Sequence, residues 1–435
     1  VSHRPLSIDL ALYAAAAIFA GATALWTTLV PHEVWGAVAI GGYLPAAVCT
    51  AVLLTQTGAV WRGRAVVAGG AAVAVTAFPL VFMAVERAIG VGERRAQSEV
   101  EVVEESGARL LDTGSPYLHA DVITTLPNPV HGYNPYQPGM AVFGFPAALF
   151  GQHWWTDARI YFLLAAAACA YGAFRLLRTR PGVLGAGKGP LLRAFQAMFV
   201  FPVCALTFAT GGDDMPVVAL LVLALAFAHR ERSLAAGLAV GAAAALKLFA
   251  WPVAVVMAFL MWRQGGLRRF AAGFAVPVVA TMAPVLAVDA RGFFDNVIAF
   301  GFGHGVVESP AQSPFIGYLV VNYLPAGDLI AKGLLGLAAV VIAWLLWTRP
   351  PSTAAAAAMW CAAGLTTAFL LMPASRFGYM LYPVVLLGWW LPLRDAVAGA
   401  AHGTLFAGVD VGDEAVDELE HETGPGPSMA VEWWR

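Results

Sequence analysis

Several residues have types and settings that could do chemistry. Glu99 opens the run SEVEVVEESGARLLDT, and Asp121 lies in the polar stretch that follows, together with His119 and His131. A carboxylate at a water–lipid boundary can take a proton from a hydroxyl if partial burial and a nearby cation set its pKa. Glu99 is the first candidate for such a base and Asp121 the second. Asp213 and Asp214 fall between two apolar runs, in GGDDMP. Ionisable groups there are costly unless they face a bundle interior; the plainer reading is a turn whose acids cap the next helix ahead of Pro216. Lys247 stands in AAAALKLFAW, where its ammonium needs an anion, a phosphate or a carboxylate. Arg376, in MPASRFGYM, can fork onto phosphate oxygens or serve as an interfacial anchor, and Tyr379 lies one turn away. His304, in FGFGHGVVESP, is a candidate substrate contact against the plainer structural role of a lone histidine. Neither metal nor cofactor is expected. The sequence has no His-x-x-x-His, no carboxylate triplet at ligand spacing and no Walker-type loop, and no Ser/His/Asp set emerges.

The elements that must hold these residues are membrane helices. Of the 435 residues, 60% are apolar and 12% charged, against about 25% charged in a soluble domain. So apolar a chain cannot bury its side chains in one core, and most of it must face lipid. A net charge of −2 speaks against a nucleic-acid partner. The four cysteines lie in apolar runs and read as small hydrophobes. The opening VSHRPLSIDL leads into apolar sequence with no small-residue cleavage site, so a first membrane anchor is expected. Candidate spans are 9–30, 38–57, 65–85, 159–177, 194–210, 215–229, 234–262, 270–288, 328–347, 354–372 and 377–392, giving roughly ten passes at about 20 residues each. Lys and Arg in short loops mark the cytoplasmic side. Placing every basic connection there forces 234–262 to enter and leave on one face, as two short helices meeting near Lys247. The loops 86–158 and 289–327, the GGDD turn and the turn 373–378 then lie outside. In the long loop, Val100, Val103, Gly107, Leu110 and Leu111 share one helical face, and Glu101, Glu104, Glu105 and Asp112 lie largely opposite. That pattern predicts an amphipathic helix on the membrane surface, stopped at Gly114 and Pro116. The acidic stretch 393–435 reads as a disordered cytoplasmic tail.

The order of these pieces resembles the family 87 glycosyltransferases of the C-type membrane fold. The resemblance rests on an acidic residue opening the external helix and on LL-x-x-G-x-PY (Leu110 to Tyr117). It continues through Tyr-x-Pro-Tyr-x-Pro (Tyr133 to Pro138), GGDD-x-P, G-x-A-x-G-x-A-x-x-x-K (Gly237 to Lys247) and a terminal Pro-x-x-Arg-x-x-Tyr. It covers roughly 65–392 and leaves 1–64 as two extra N-terminal spans. What it implies is an all-α polytopic bundle that transfers a sugar, mannose in the family, from a polyprenyl-phosphate donor to a lipid or glycan acceptor outside a bacterial plasma membrane. The transfer would be inverting and metal-independent. The family's acid falls on Glu99, where its usual residue is Asp; its lysine falls on Lys247. Lys247 and Arg376 would neutralise the leaving phosphate. Asp213, Asp214, His304 and Tyr379 would contact substrate. Tyr133, Tyr136, Trp154 and Trp155 would stack on sugar or sit in the headgroup belt.

Two other classes remain open on the residues alone. A secondary transporter could use Asp213, Asp214 and Lys247 as a relay, but no internal repeat is visible. A non-catalytic envelope-assembly protein would account for Glu in place of Asp.

Overall fold

The computed structural model describes residues 4–56, 60–91, 95–178, 185–301 and 303–407. Of the stretch 393–435 expected as a disordered tail, residues 393–407 are helical and the rest lies outside the described residues. Among the described residues every named element is helical.

The chain opens with a hairpin of two membrane-length helices, α1 (Arg4–Trp26) and α2 (Val30–Leu54). α3 (Trp61–Ala72) continues through a π-helical segment, Val73–Ala77, into α4 (Phe78–Ala88). The hairpin packs on that helix and on Val200, Ala205 and Ala209 through its own core, which includes Tyr13, Trp35, Tyr43, Val75 and Met83. Its buried polar tips are satisfied: Trp35 Nε1 donates to Val75 O at 2.9 Å and Tyr43 Oη to Val200 O at 2.6 Å.

The long loop is built on α5 (Ser98–Thr113), a single turn α6 (Ala120–Ile123), a 3₁₀ segment Pro138–Gly144 and α7 (Phe145–Phe150). α5 stops where expected, at Gly114 with φ 78°, whose N–H donates to Leu110 O at 3.0 Å. α8 (Ala158–Leu177) follows, its N-terminus capped by Asp157, which accepts from Arg159 N at 3.1 Å. Next come α9 (Lys188–Phe199) and α10 (Pro202–Thr210), bent by 45° at the Pro202 break. α11 (Asp214–His229), α12 (Ser233–Leu246) and α13 (Ala250–Arg263) are short. The chain ends in α14 (Leu267–Phe293), α15 (Ile316–Tyr323), α16 (Gly327–Thr348), α17 (Ala354–Leu371) and α18 (Leu381–Ala407).

Among the described residues seven helices are long and apolar enough to span a bilayer, or eight with the bent α9–α10 pair. This falls below the ten expected because α11 to α13 are only 14 to 16 residues long, against about 20 for a straight pass. The expected hairpin at 234–262 is present: α12 ends at Leu246, Lys247 is extended, and α13 begins at Ala250. Its two outer ends meet, since a Cβ on Gly266 would strike Ser233 Oγ. Gly237 and Gly241 of α12 leave no room for a Cβ against the α14 backbone at Phe270 and Phe274, a close approach that small residues permit between membrane helices.

Contacts sort the helix ends onto two sides. On one, Asp9 pairs with Arg64 and with Arg193, and Arg230 Nε donates to Leu176 O at 2.7 Å. Trp262 stacks on Trp347 there too. This basic side gathers the ends of α2, α8, α11, α13 and α16. The opposite, loop side carries α5 to α7 and the GGDD turn.

Candidate functional site

α5 is not a surface raft. The expected apolar face holds in part, with Val100, Val103 and Gly107 buried and Leu111 48% exposed. Glu104, expected on the solvated face, is 4% exposed. The reason is a partner the helical wheel does not contain. Arg87, at the end of α4, reaches both Glu104 oxygens at 2.9 and 2.8 Å and Asp157 at 3.2 Å. Asp157 in turn binds the fully buried Arg159 at 2.7 and 2.8 Å. These two cations and two anions lock α5 against α4 and α8. Burial opposes ionisation of Asp157, but Arg159 and then Arg87 outweigh it and hold its carboxyl below the usual range.

At the start of α5 the structure joins two of the singled-out residues. Glu99 and Arg376, 277 positions apart, form an ion pair in which a guanidinium N–H donates to Glu99 Oε1. Glu99 is 13% exposed and Arg376 34%. The preceding residue but one, Gln97, donates its backbone N–H to Thr210 O at 2.8 Å. Its side chain meets His32 Nε2 at 2.5 Å.

The second group lies at the α12–α13 break. Lys247 Nζ donates to Asp213 Oδ2 at 2.7 Å and to Asp214 Oδ1 at 2.5 Å, and Tyr382 Oη donates to the same Asp214 oxygen at 2.7 Å. The rings of Tyr136, Phe249 and Tyr379 stand 5.3 to 5.5 Å from the ammonium. The anion that Lys247 meets is therefore a pair of carboxylates. Asp213 and Asp214 are more than helix caps, for the same reason. Burial, and then the two aspartates, push the Tyr136 phenol well above its ordinary value, so it remains a protonated donor. Tyr379, whose ring stands 5.5 Å from Lys247 Nζ and whose backbone N–H donates to Arg376 O at 3.0 Å, joins the two groups into one site. Its charges, Glu99, Asp213 and Asp214 against Arg376 and Lys247, sum to −1.

Other candidates stand apart from it. Asp121 is exposed at the start of α6. Tyr133 is buried, stacked on Phe300 at 4.2 Å, and its hydroxyl accepts from Val306 N at 2.6 Å. His304 is exposed, and its backbone N–H donates to Ala299 O at 2.8 Å. Tyr133 and His304 thus belong to a loop–loop contact. Trp154 and Trp155 are 47% and 39% exposed, which suits the headgroup belt.

Sequence reasoning missed His32, Gln97, Arg87, Asp157 and Arg159. It also missed Asp289, which accepts from Ser115 Oγ at 2.7 Å and contacts His119 Nε2 at 2.8 Å. These are Ser, His and Asp side chains in one place, where no such set was expected. The serine bonds the carboxylate, not the imidazole, so the order is wrong for an activated nucleophile. Among the described residues no group of three His, Cys, Asp or Glu is arranged to hold a metal ion.

The fold and site define a polytopic helical membrane protein with an ionic centre where its long loop meets the bundle. A family model for glycosyltransferase family 87 matches residues 134–373, and the chain belongs to that family. Tyr136, Asp213, Asp214, Lys247 and His304 fall inside the matched segment, while Glu99, Asp121, Tyr133, Arg376 and Tyr379 fall outside it. The chain is also similar to the crystal structure of ArnT from Cupriavidus metallidurans bound to undecaprenyl phosphate, at 16% identity and a TM-score of 0.46. That similarity covers 78% of this chain and 60% of the ArnT chain. No curated protein matches the sequence.

Proposed function

We propose that the protein is a membrane glycosyltransferase that moves a sugar from a polyprenyl-phosphate donor to an acceptor hydroxyl, with inversion and without a metal. The observation that carries this reading is the Glu99–Arg376 pair beside the Lys247 centre: a carboxylate and a phosphate-seeking guanidinium together at one mostly buried place. Family membership supports the reaction class, and the gathering of basic helix ends on one side supports a loop side facing out of a bacterial plasma membrane.

In this scheme Arg376 forks onto the donor phosphate. The donor phosphodiester carries one negative charge, as Glu99 does, and gains a second as it leaves, so Arg376 turns to the phosphate as that charge develops and frees the carboxylate. Glu99 then takes the acceptor proton while the acceptor oxygen forms its bond to the anomeric carbon. The carbon–phosphate oxygen bond breaks with its electron pair, and polyprenyl phosphate leaves. Lys247 holds the Asp213–Asp214 turn, whose carboxylates offset its charge, so Arg376 is the cation that meets the departing phosphate; Tyr136 and Tyr379 wall the sugar. Asp121 is too exposed to compete with Glu99 as base. Mannose is the sugar we propose on the family resemblance.

The test is release of polyprenyl phosphate by the purified protein in nanodiscs given polyprenyl-phosphate-mannose and a short mannose-bearing acceptor. Glu99→Gln should abolish release, since a positioned general base contributes about 10²–10⁴-fold. Full activity of that variant would remove Glu99 as the base. Absence of turnover with any of a panel of lipid-phosphate sugars would remove the reaction class.

A further inference from the structure

The hairpin of α1 and α2 precedes the segment that the family model matches, yet it sends one side chain to the candidate site. His32 lies in the first turn of α2, just after Pro31 at the helix start. Its Nε2 meets the Gln97 carboxamide at 2.5 Å, 65 positions away in sequence. Gln97 is fixed from two further directions. Its backbone N–H is tied to Thr210 O at 2.8 Å, and its Oε1 lies 2.4 Å from where a Cβ on Gly211 would stand. It is also the N-cap residue of α5, extended at φ −72°, ψ 156°, so its placement sets where the helix begins. Glu99 is in that first turn, and Arg376, its partner, is an electrostatic neighbour of His32.

We propose that His32 is a positioning residue for the base: by holding the Gln97 carboxamide it fixes the first turn of α5 and so the reach of Glu99. The residue type suits the place. A neutral imidazole accepts from the amide without adding a second cation beside Arg376 or an anion that would compete for it, and a ring carries little side-chain entropy to lose. A carboxylate at position 32 would attract Arg376, and a lysine would pull on Glu99. The N-terminal hairpin is on this account part of the working site, not only an added membrane anchor.

The inference rests on the reading of Glu99 as base, and the experiment keeps the two apart. His32→Ala, His32→Gln, Gln97→Ala and the double variant His32→Ala/Gln97→Ala are compared with Glu99→Gln by kinetics and by hydrogen exchange of residues 97–104. Glutamine places an acceptor oxygen near the position of Nε2. The expected result is a fall in kcat of about tenfold for His32→Ala with donor KM within about twofold. His32→Gln should recover most of that loss, and the double variant should be no worse than either single one. Hydrogen exchange in the first turn of α5 should rise in His32→Ala and return to the original level in His32→Gln. Unchanged exchange and unchanged kcat in a folded His32→Ala protein would overturn the proposal, as would failure of His32→Gln to restore either. If Glu99→Gln is fully active, the base reading fails, and the exchange measurement still decides whether His32 orders the turn.

Discussion

Replacing Lys247 with Met keeps the length and most of the volume of the side chain and removes its charge. In the native protein this one ammonium serves two buried carboxylates at 2.7 and 2.5 Å and faces three aromatic rings. Without it Asp214 keeps the Tyr382 hydroxyl at 2.7 Å, and Asp213 loses its ammonium. Removing one partner of a buried ion pair costs about 3–5 kcal/mol, because the remaining charge stays desolvated. Each cation–π contact adds about 0.5–2 kcal/mol where the cation is desolvated, though these overlap with the first sum. Lys247→Met should therefore lose about 4 kcal/mol, which lowers Tm by roughly 5–10 °C for a chain of this size. Two further variants make the argument specific. Asp213→Asn leaves one cation with one anion and should stay within about 1 kcal/mol of the native protein. Lys247→Met/Asp213→Asn/Asp214→Asn has no orphaned charge and should recover more than half of the loss. Thermal unfolding of all four proteins in one detergent is the assay. A Tm for Lys247→Met within about 2 °C of the native value, or a triple variant no better than the single one, would refute the reasoning.

Arg376→Lys keeps the charge but not the fork; donor KM should rise about tenfold with a smaller change in kcat, read from initial rates of polyprenyl phosphate release. Asp157 is held below the usual carboxylate range. Its contribution is therefore full above the unfolded carboxyl pKa of about 3.9 and is lost as pH falls through the lower folded value. Asp157→Asn should flatten that acid limb of the stability profile and cost about 3–5 kcal/mol at neutral pH by orphaning Arg159; an unchanged limb by unfolding at pH 2–5 would count against it. Gly107→Ala would drive a Cβ to 2.5 Å from Gly144 C and 2.9 Å from Ala141 O. All of these are backbone atoms that cannot swing aside, so a loss of about 1–3 kcal/mol in thermal unfolding is expected.

The helical bundle and its hairpin were legible because charge and length leave little choice. With Arg230, Arg263 and their neighbours fixed to one side, 234–262 had to turn back, and Lys247 was the residue at the turn. The stop of α5 at Gly114 was legible from local backbone chemistry. What was hidden depends on partners distant in the chain. Glu104 looks solvated on its own helix, and only Arg87 and the end of α8 make it buried. Asp289 opens the second of the expected external loops, 174 residues from Ser115 and 170 from His119, and no periodicity links them. Glu99 and Arg376 were each noticed for their chemistry, but their pairing across 277 residues is a product of the fold.

The break between α12 and α13 also bears on how the protein is made. Ending a helix inside a bilayer strands carbonyls that lipid cannot satisfy. Here Leu246 O is taken up by Gln137 N–H at 3.1 Å and Ala244 O by Trp251 Nε1 at 3.2 Å, with Gly139 pressed against Ala245 O. Gln137 and Gly139 belong to the loop returning from the far side of α5, which emerges from the ribosome long before α12. The same loop supplies Tyr136 to the lysine. The tip of the hairpin is therefore completed by a segment made before it, and the Leu246 carbonyl is satisfied where that loop lies over it. The Lys247 centre also takes Tyr379 and Tyr382 from near the C-terminal end of the chain, so it is complete only once α18 is in place.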